Sequence, residues 1–150
     1  LPQSDRHDLL AGAEAPHSNP EEGAEVIAAA LEAAPDDAEV RLAAYRFYYY
    51  THDYAAARMQ AHVLLGHVAR RLNVSPDWRE VRATDADFTA HEFAPGMFLQ
   101  VLVAIGYCAA RTGQRSEAED VLAKAAELDP TDRFGGRWIL DILAQSGDDA

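Results

Sequence analysis

The strongest constraint on this chain is a spacing. Alanine-rich stretches of helical pattern recur along it: Gly23 to Leu31, Asp53 to Leu72 and Ala118 to Leu128. Gly23 and Ala57 occupy equivalent small positions 34 residues apart, and Ala57 and Ala118 lie 61 apart, one such period plus 27. A period of this length marks supersecondary units that bury their apolar faces only by stacking on one another. No segment alternates with period two, and clusters of β-branched residues are absent. The spacing therefore predicts an all-α chain.

Each recurring stretch is preceded by another helical pattern. Asp37 can cap a helix from Ala38 to Tyr50, with Val40, Ala43, Ala44 and Phe47 on one face. After the breaker Pro95-Gly96, Met97 to Arg111 carries Leu99, Leu102, Val103 and Gly106 at the spacing of a buried stripe. Gly113 supplies its stop, and Ser116 with Glu119 has capping-box spacing for the next helix. Asn19 followed by Pro20 starts the earliest full helix, since proline suits the first helical position.

Helix pairs of about 34 residues closing on a proline resemble tetratricopeptide (TPR) repeats. Ile105-Gly106 is similar to the family's Leu-Gly pair, Ala118 to the alanine that opens its second helix, and Ala125 with Pro130 to its close. Tyr48, Asp53-Tyr54 and Ala57 match in the middle unit, where Ala44-Tyr45 replaces Leu-Gly. Leu10-Ala11 fits in the first unit, where Pro16 truncates the first helix and Gly23 stands where alanine is usual. The resemblance implies antiparallel helix-hairpin repeats stacked as a short right-handed solenoid over one domain, 1–150. Its units would be 4–37, 38–71 and 99–132, with an insertion at 72–98 and a capping helix at 133–150.

The insertion lies outside that pattern. Ser75 and Pro76 read as the start of a short helix, and Thr84 with Asp87 as the start of a second one running through His91. Trp78, Val81, Phe88 and Phe93 supply apolar area that either plugs the repeat stack or lines a ligand groove. In the closing helix Trp138, Ile139, Ile142 and Leu143 are expected to cover the last repeat.

Composition narrows the chemistry. Against 13 Lys and Arg stand 25 Asp and Glu, a formal charge of -12. A nucleic-acid surface needs clustered cations to displace counterions, and an anionic lipid surface needs them too, so neither partner is expected. The longest apolar run, Met97 to Ala110, falls short of a bilayer span. No basic segment precedes an apolar stretch near Leu1, so the expected compartment is the cytoplasm, with the periplasm as the alternative. Cys108, the single cysteine, sits on an apolar helix, the setting of an inert buried thiol rather than a nucleophile.

No phosphate loop, nucleophile elbow or HExxH occurs. His62 and His67 are five apart, about 140° around a helix, which does not suit a shared zinc ion. A metal site from His52, His62 and His91 is conceivable, but no metal or other cofactor is expected. The pairs Asp36-Asp37, Asp85-Asp87 and Asp148-Asp149 sit at helix starts or the chain end, where carboxylates complement the helix dipole. No catalytic residue, and no enzyme, is expected.

What remains is a surface. The TPR resemblance implies that the first helix of each pair lines a concave groove. Carried over position by position, it points to Arg46, Tyr49, Tyr50, Gln100, Tyr107 and Arg111, with Glu39, Leu42, Val103 and Arg137 beside them. Tyrosine offers rigid amphipathic area and arginine planar donors, the types enriched where peptides bind. Of three consecutive tyrosines, Tyr48 is expected to face the core; Tyr49 and Tyr50 fit a groove and ordinary helix packing equally. The family's lysine/asparagine carboxylate clamp has no counterpart, because the single lysine, Lys124, falls on an outer helix. The expected function is a non-enzymatic scaffold that holds a partner protein's peptide or helical segment, one bearing acidic groups. The alternatives are a self-assembling or complex-assembly subunit, including a homodimer, and a chaperone of the type III secretion kind.

Overall fold

In a computed structural model, residues 20–148 are described, with side chains at 21–146. They form six α-helices and one 3₁₀ turn, with no strand among the described residues. The chain is all-α. The helices are α1 (Pro20–Ala33), α2 (Ala38–Tyr50), α3 (Tyr54–Leu72), α4 (Phe93–Arg111), α5 (Arg115–Leu128) and α6 (Gly136–Asp148). The 3₁₀ turn is Trp78–Glu80. Leu10-Ala11, Pro16 and Asn19 lie outside the described residues. Two compact units are distinguished, divided within α3 between Leu64 and Leu65.

In the first unit α1 packs on α2. Ile27 meets Ala43, Ala44 and Phe47 in a buried cluster, with Leu31 and Tyr48 half-buried against it. Each large side chain removed from water there contributes about 1.5–3 kcal/mol. Tyr48 thus faces this core, its ring edge-on to Phe47 at 5.5 Å. Helix α2 starts where its cap dictates: Asp37 Oδ1 accepts from Glu39 N at 2.9 Å and Val40 N at 3.4 Å. At its end His52 takes a left-handed φ of 65°. That turn lets His52 N donate to Tyr49 O and Asp53 N to Tyr48 O, satisfying carbonyls the helix would leave orphaned.

In the second unit α4 is the central element. Phe98, Leu99, Leu102, Ile105 and Cys108 are fully buried, and α5 and α6 both pack on it. At 19 residues it is long and apolar enough to cross a bilayer by length and composition, and just over half of that stretch is buried inside the protein. The helix begins at Phe93, not after Pro95-Gly96 as expected. Pro95 occupies the first turn, where backbone N–H groups have no intrahelical acceptor and none is lost to proline. Its C-terminus repeats the turn after α2: Gly113 at φ 78°, Gly113 N to Ala110 O, and Gln114 N to Ala109 O at 2.8 Å. Thr112 Oγ1 donates to Cys108 O just as Thr51 Oγ1 donates to Phe47 O.

Helix α5 follows so directly that Ser116 becomes its second residue rather than its cap. Gln114 holds the cap position without a side-chain bond, and Glu119 pairs with Arg115 at 2.8 Å instead. Helix α6 is started by Asp132, whose carboxylate accepts from Arg137 N and Trp138 N.

The insertion packs within the second unit. Trp78, Val81 and Phe88 are buried, and Phe88 lies 5.4 Å from the Phe98 ring. Lys124 Nζ donates to Val81 O at 2.8 Å, and Arg133 reaches Phe88 O. Phe93 departs from this group: it is 63% exposed, with Arg71 over its ring. Asp77, not Ser75, caps the 3₁₀ turn, while Ser75 Oγ accepts from Asp77 N. The expected helix at 84–91 is a series of turns. Its aspartates bond locally, Asp85 to Arg82 N and Asp87 to the Thr89 hydroxyl, in competition with a helix.

Candidate functional surface

The first unit gathers aromatic rings around the end of α2. Tyr49 is the hub: its ring lies 5.9 Å from Tyr45, 5.5 Å from Tyr50 and 5.9 Å from Tyr54. His52 stacks on Tyr54 at 5.8 Å, 15° from parallel. The cluster forms for two local reasons. Residues 45 and 49 are one helical turn apart, and the left-handed turn at His52 folds the start of α3 back beside Tyr49. Tyr45, Tyr49 and Tyr54 are half-buried, while Tyr50 is 51% exposed. Arg46 is exposed one helical turn before Tyr50 and makes no ion pair among the described residues.

The second unit carries the other three expected residues along one face of α4. Gln100, Tyr107 and Arg111 are spaced seven and four residues apart, which places them within about 40° of one another around the helix. Arg111 Nη1 donates to Tyr107 Oη at 3.1 Å, with the guanidinium carbon 5.9 Å from that ring's centre. The pair is therefore pre-arranged: a planar donor group held beside a phenol. Gln100 is exposed two turns earlier.

Each unit thus presents tyrosine and arginine together, Tyr49–Tyr50–Arg46 in one and Tyr107–Arg111 in the other. Tyr45, Tyr54 and His52 join the first group without having been expected. The tyrosine at i−4 from Tyr49 was a usable signal for Tyr45. For Tyr54 the signal was the short turn between two helices. Such groups can offer π-faces and charge-assisted hydrogen bonds to a carboxylate.

Elsewhere Arg79, Glu80, Arg82, Asp85, Lys124 and Glu127 line an open polar basin beside the insertion, with cations and carboxylates interleaved. Cys108, the single cysteine, is fully buried. No three His, Cys, Asp or Glu side chains converge as metal ligands among the described residues.

No family model and no solved structure matches the chain. Over 114 residues it is 38% identical to an uncharacterized 19.8 kDa protein in the nifW 5' region of Azotobacter chroococcum mcd 1. The match covers 75% of this chain and 64% of that protein, so the chain spans less than two thirds of its relative's length.

Proposed function

We propose that this chain is a non-enzymatic protein-binding module of the TPR-like kind, which takes hold of an extended or helical segment of a partner protein. Three observations favour hairpin repeats. The turns after α2 and α4 share the same backbone bonds and the same threonine–carbonyl bond, 61 residues apart. Ala57 and Ala118, at matching places in the helices that follow, are both fully buried. Gly106, at the place of the family's glycine, lies against Leu122 where a side chain has no room.

The binding role rests chiefly on one observation: the half-exposed ring cluster around Tyr49, with Tyr50 outermost and Arg46 beside it. Aromatic rings give affinity through burial, and arginines steer and orient a carboxylate-bearing segment toward an otherwise acidic chain. The test is an array of acidic peptides probed with the wild-type protein, Tyr50→Ala and Arg111→Ala. Each substitution is expected to weaken the best binders about tenfold, the loss of about 1.4 kcal/mol of an anchor contact, with helicity unchanged. Wild-type affinity in both variants overturns the proposal.

A further inference from the structure

Helix α6 was expected to turn Trp138, Ile139, Ile142 and Leu143 together onto the preceding helices. It does not. The side that packs inward carries Gly136, Ile139, Leu140 and Leu143, and a Cβ on Gly136 would lie 3.0 Å from that of Ala125. Trp138 and Ile142, one turn apart, point the other way and are 66% and 44% exposed. An indole and a branched aliphatic side by side on a helix that already has a packed face form a second apolar face. It is flanked on one side by Arg137 and Asp141, also one turn apart and both exposed. Neither makes an ion pair among the described residues.

We infer that this outer face of α6 docks on the same face of a second copy of the chain, as an antiparallel helix pair about a two-fold axis. The pattern is self-complementary. In an antiparallel pair each flank of one helix meets the same flank of its partner with the order reversed. Trp138 then covers Ile142 of the other copy, and Arg137 meets Asp141 of the other copy, each contact occurring twice. The two pairings are centred one residue apart, so with one in register the other is out by two residues, about 3 Å along the axis, which side chains of this length absorb. A different partner would need to supply both an apolar ridge and the opposite order of charges; a second copy brings them by symmetry.

One helix face of this length buries less than the ~1,200–2,000 Å² of a standard interface, so the dimer dissociates on dilution. The experiment is sedimentation equilibrium from ~10 μM to ~1 mM, the range in which so small an interface associates, with tryptophan emission read in parallel. Wild type is expected to shift from monomer to dimer while emission moves to the blue, because Trp138 leaves water and Trp78 is already buried. Arg137→Glu and Asp141→Arg are each expected to stay monomeric, since each places like charges opposite one another. Mixed in equal amounts they are expected to form a heterodimer, because both contacts then join opposite charges. A wild type that remains monomeric throughout, or a mixture no heavier than its components, overturns the inference. Circular dichroism on each variant separates loss of pairing from loss of the helix.

Discussion

Gly106 on α4 stands against Leu122 on α5 with no space between them for a methyl group: a Cβ added to the glycine would lie 2.5 Å from both Cγ and Cδ2 of Leu122. Leu122 is itself fully buried in a packed core and has nowhere to go. The glycine's usual cost within a helix, about 0.5–1 kcal/mol, is offset here by the close approach it permits.

Gly106→Ala is therefore expected to destabilise the protein by about 1–3 kcal/mol, despite alanine's better helix propensity. Gly66→Ala provides the contrast. A Cβ at Gly66, inside α3, meets nothing within 4 Å, so the same substitution is expected to gain about 0.4–1 kcal/mol. Urea midpoints of the two variants should move in opposite directions; movement in the same direction would contradict the contact argument.

His52 carries a left-handed backbone at a position that Gly113 fills in the matching turn. A side chain there costs of order 1 kcal/mol, which glycine avoids. His52→Gly is expected to raise the urea midpoint by the equivalent of up to about 1 kcal/mol, whereas His52→Ala keeps the strain, loses the ring stacked on Tyr54 and lowers it. If both variants lose stability equally, the ring contact rather than the backbone governs this turn.

Lys124 fastens the insertion to α5 through the carbonyl of a buried valine. Lys124→Met removes that donor while keeping the aliphatic stem, and is expected to cost about 1–3 kcal/mol for the acceptor left unpaired. The effect should be local. Hydrogen exchange is expected to quicken across residues 78–92, with the interior of α4 unchanged. Uniform acceleration throughout the second unit would mean that this segment opens only together with α4 and not by itself.

The helix most legible from sequence was α2, where Asp37 marks the start and the helix runs over Ala38–Tyr50 as expected. The start of α4 was misplaced because Pro-Gly reads as a breaker, although in a first turn proline costs nothing. The insertion's second helix was misread because capping-box spacing does not distinguish a cap from an aspartate bonding its own turn. In α6 the four apolar residues gave no hint of being divided between two faces, because residues 138–143 are dense enough in apolar side chains to hide the period.

The candidate surface was half legible. Tyr49, Tyr50, Tyr107 and Arg111 are named by carrying the TPR resemblance over position by position, and the pairing of Arg111 with Tyr107 follows from their spacing of four. The ring cluster at Tyr49 was not foreseen, because it depends on how a turn brings Tyr54 back across the end of α2. That is a tertiary fact which no periodicity within one helix records.

Lys124 holds the only side-chain amine in the chain, and its ammonium sits on a carbonyl oxygen with 14% of the side chain exposed. Acylating reagents aimed at amines will therefore react with this side chain slowly while the insertion is seated and quickly once it lifts. The protein carries its own gauge of that movement, readable as the adduct on the peptide that holds Lys124.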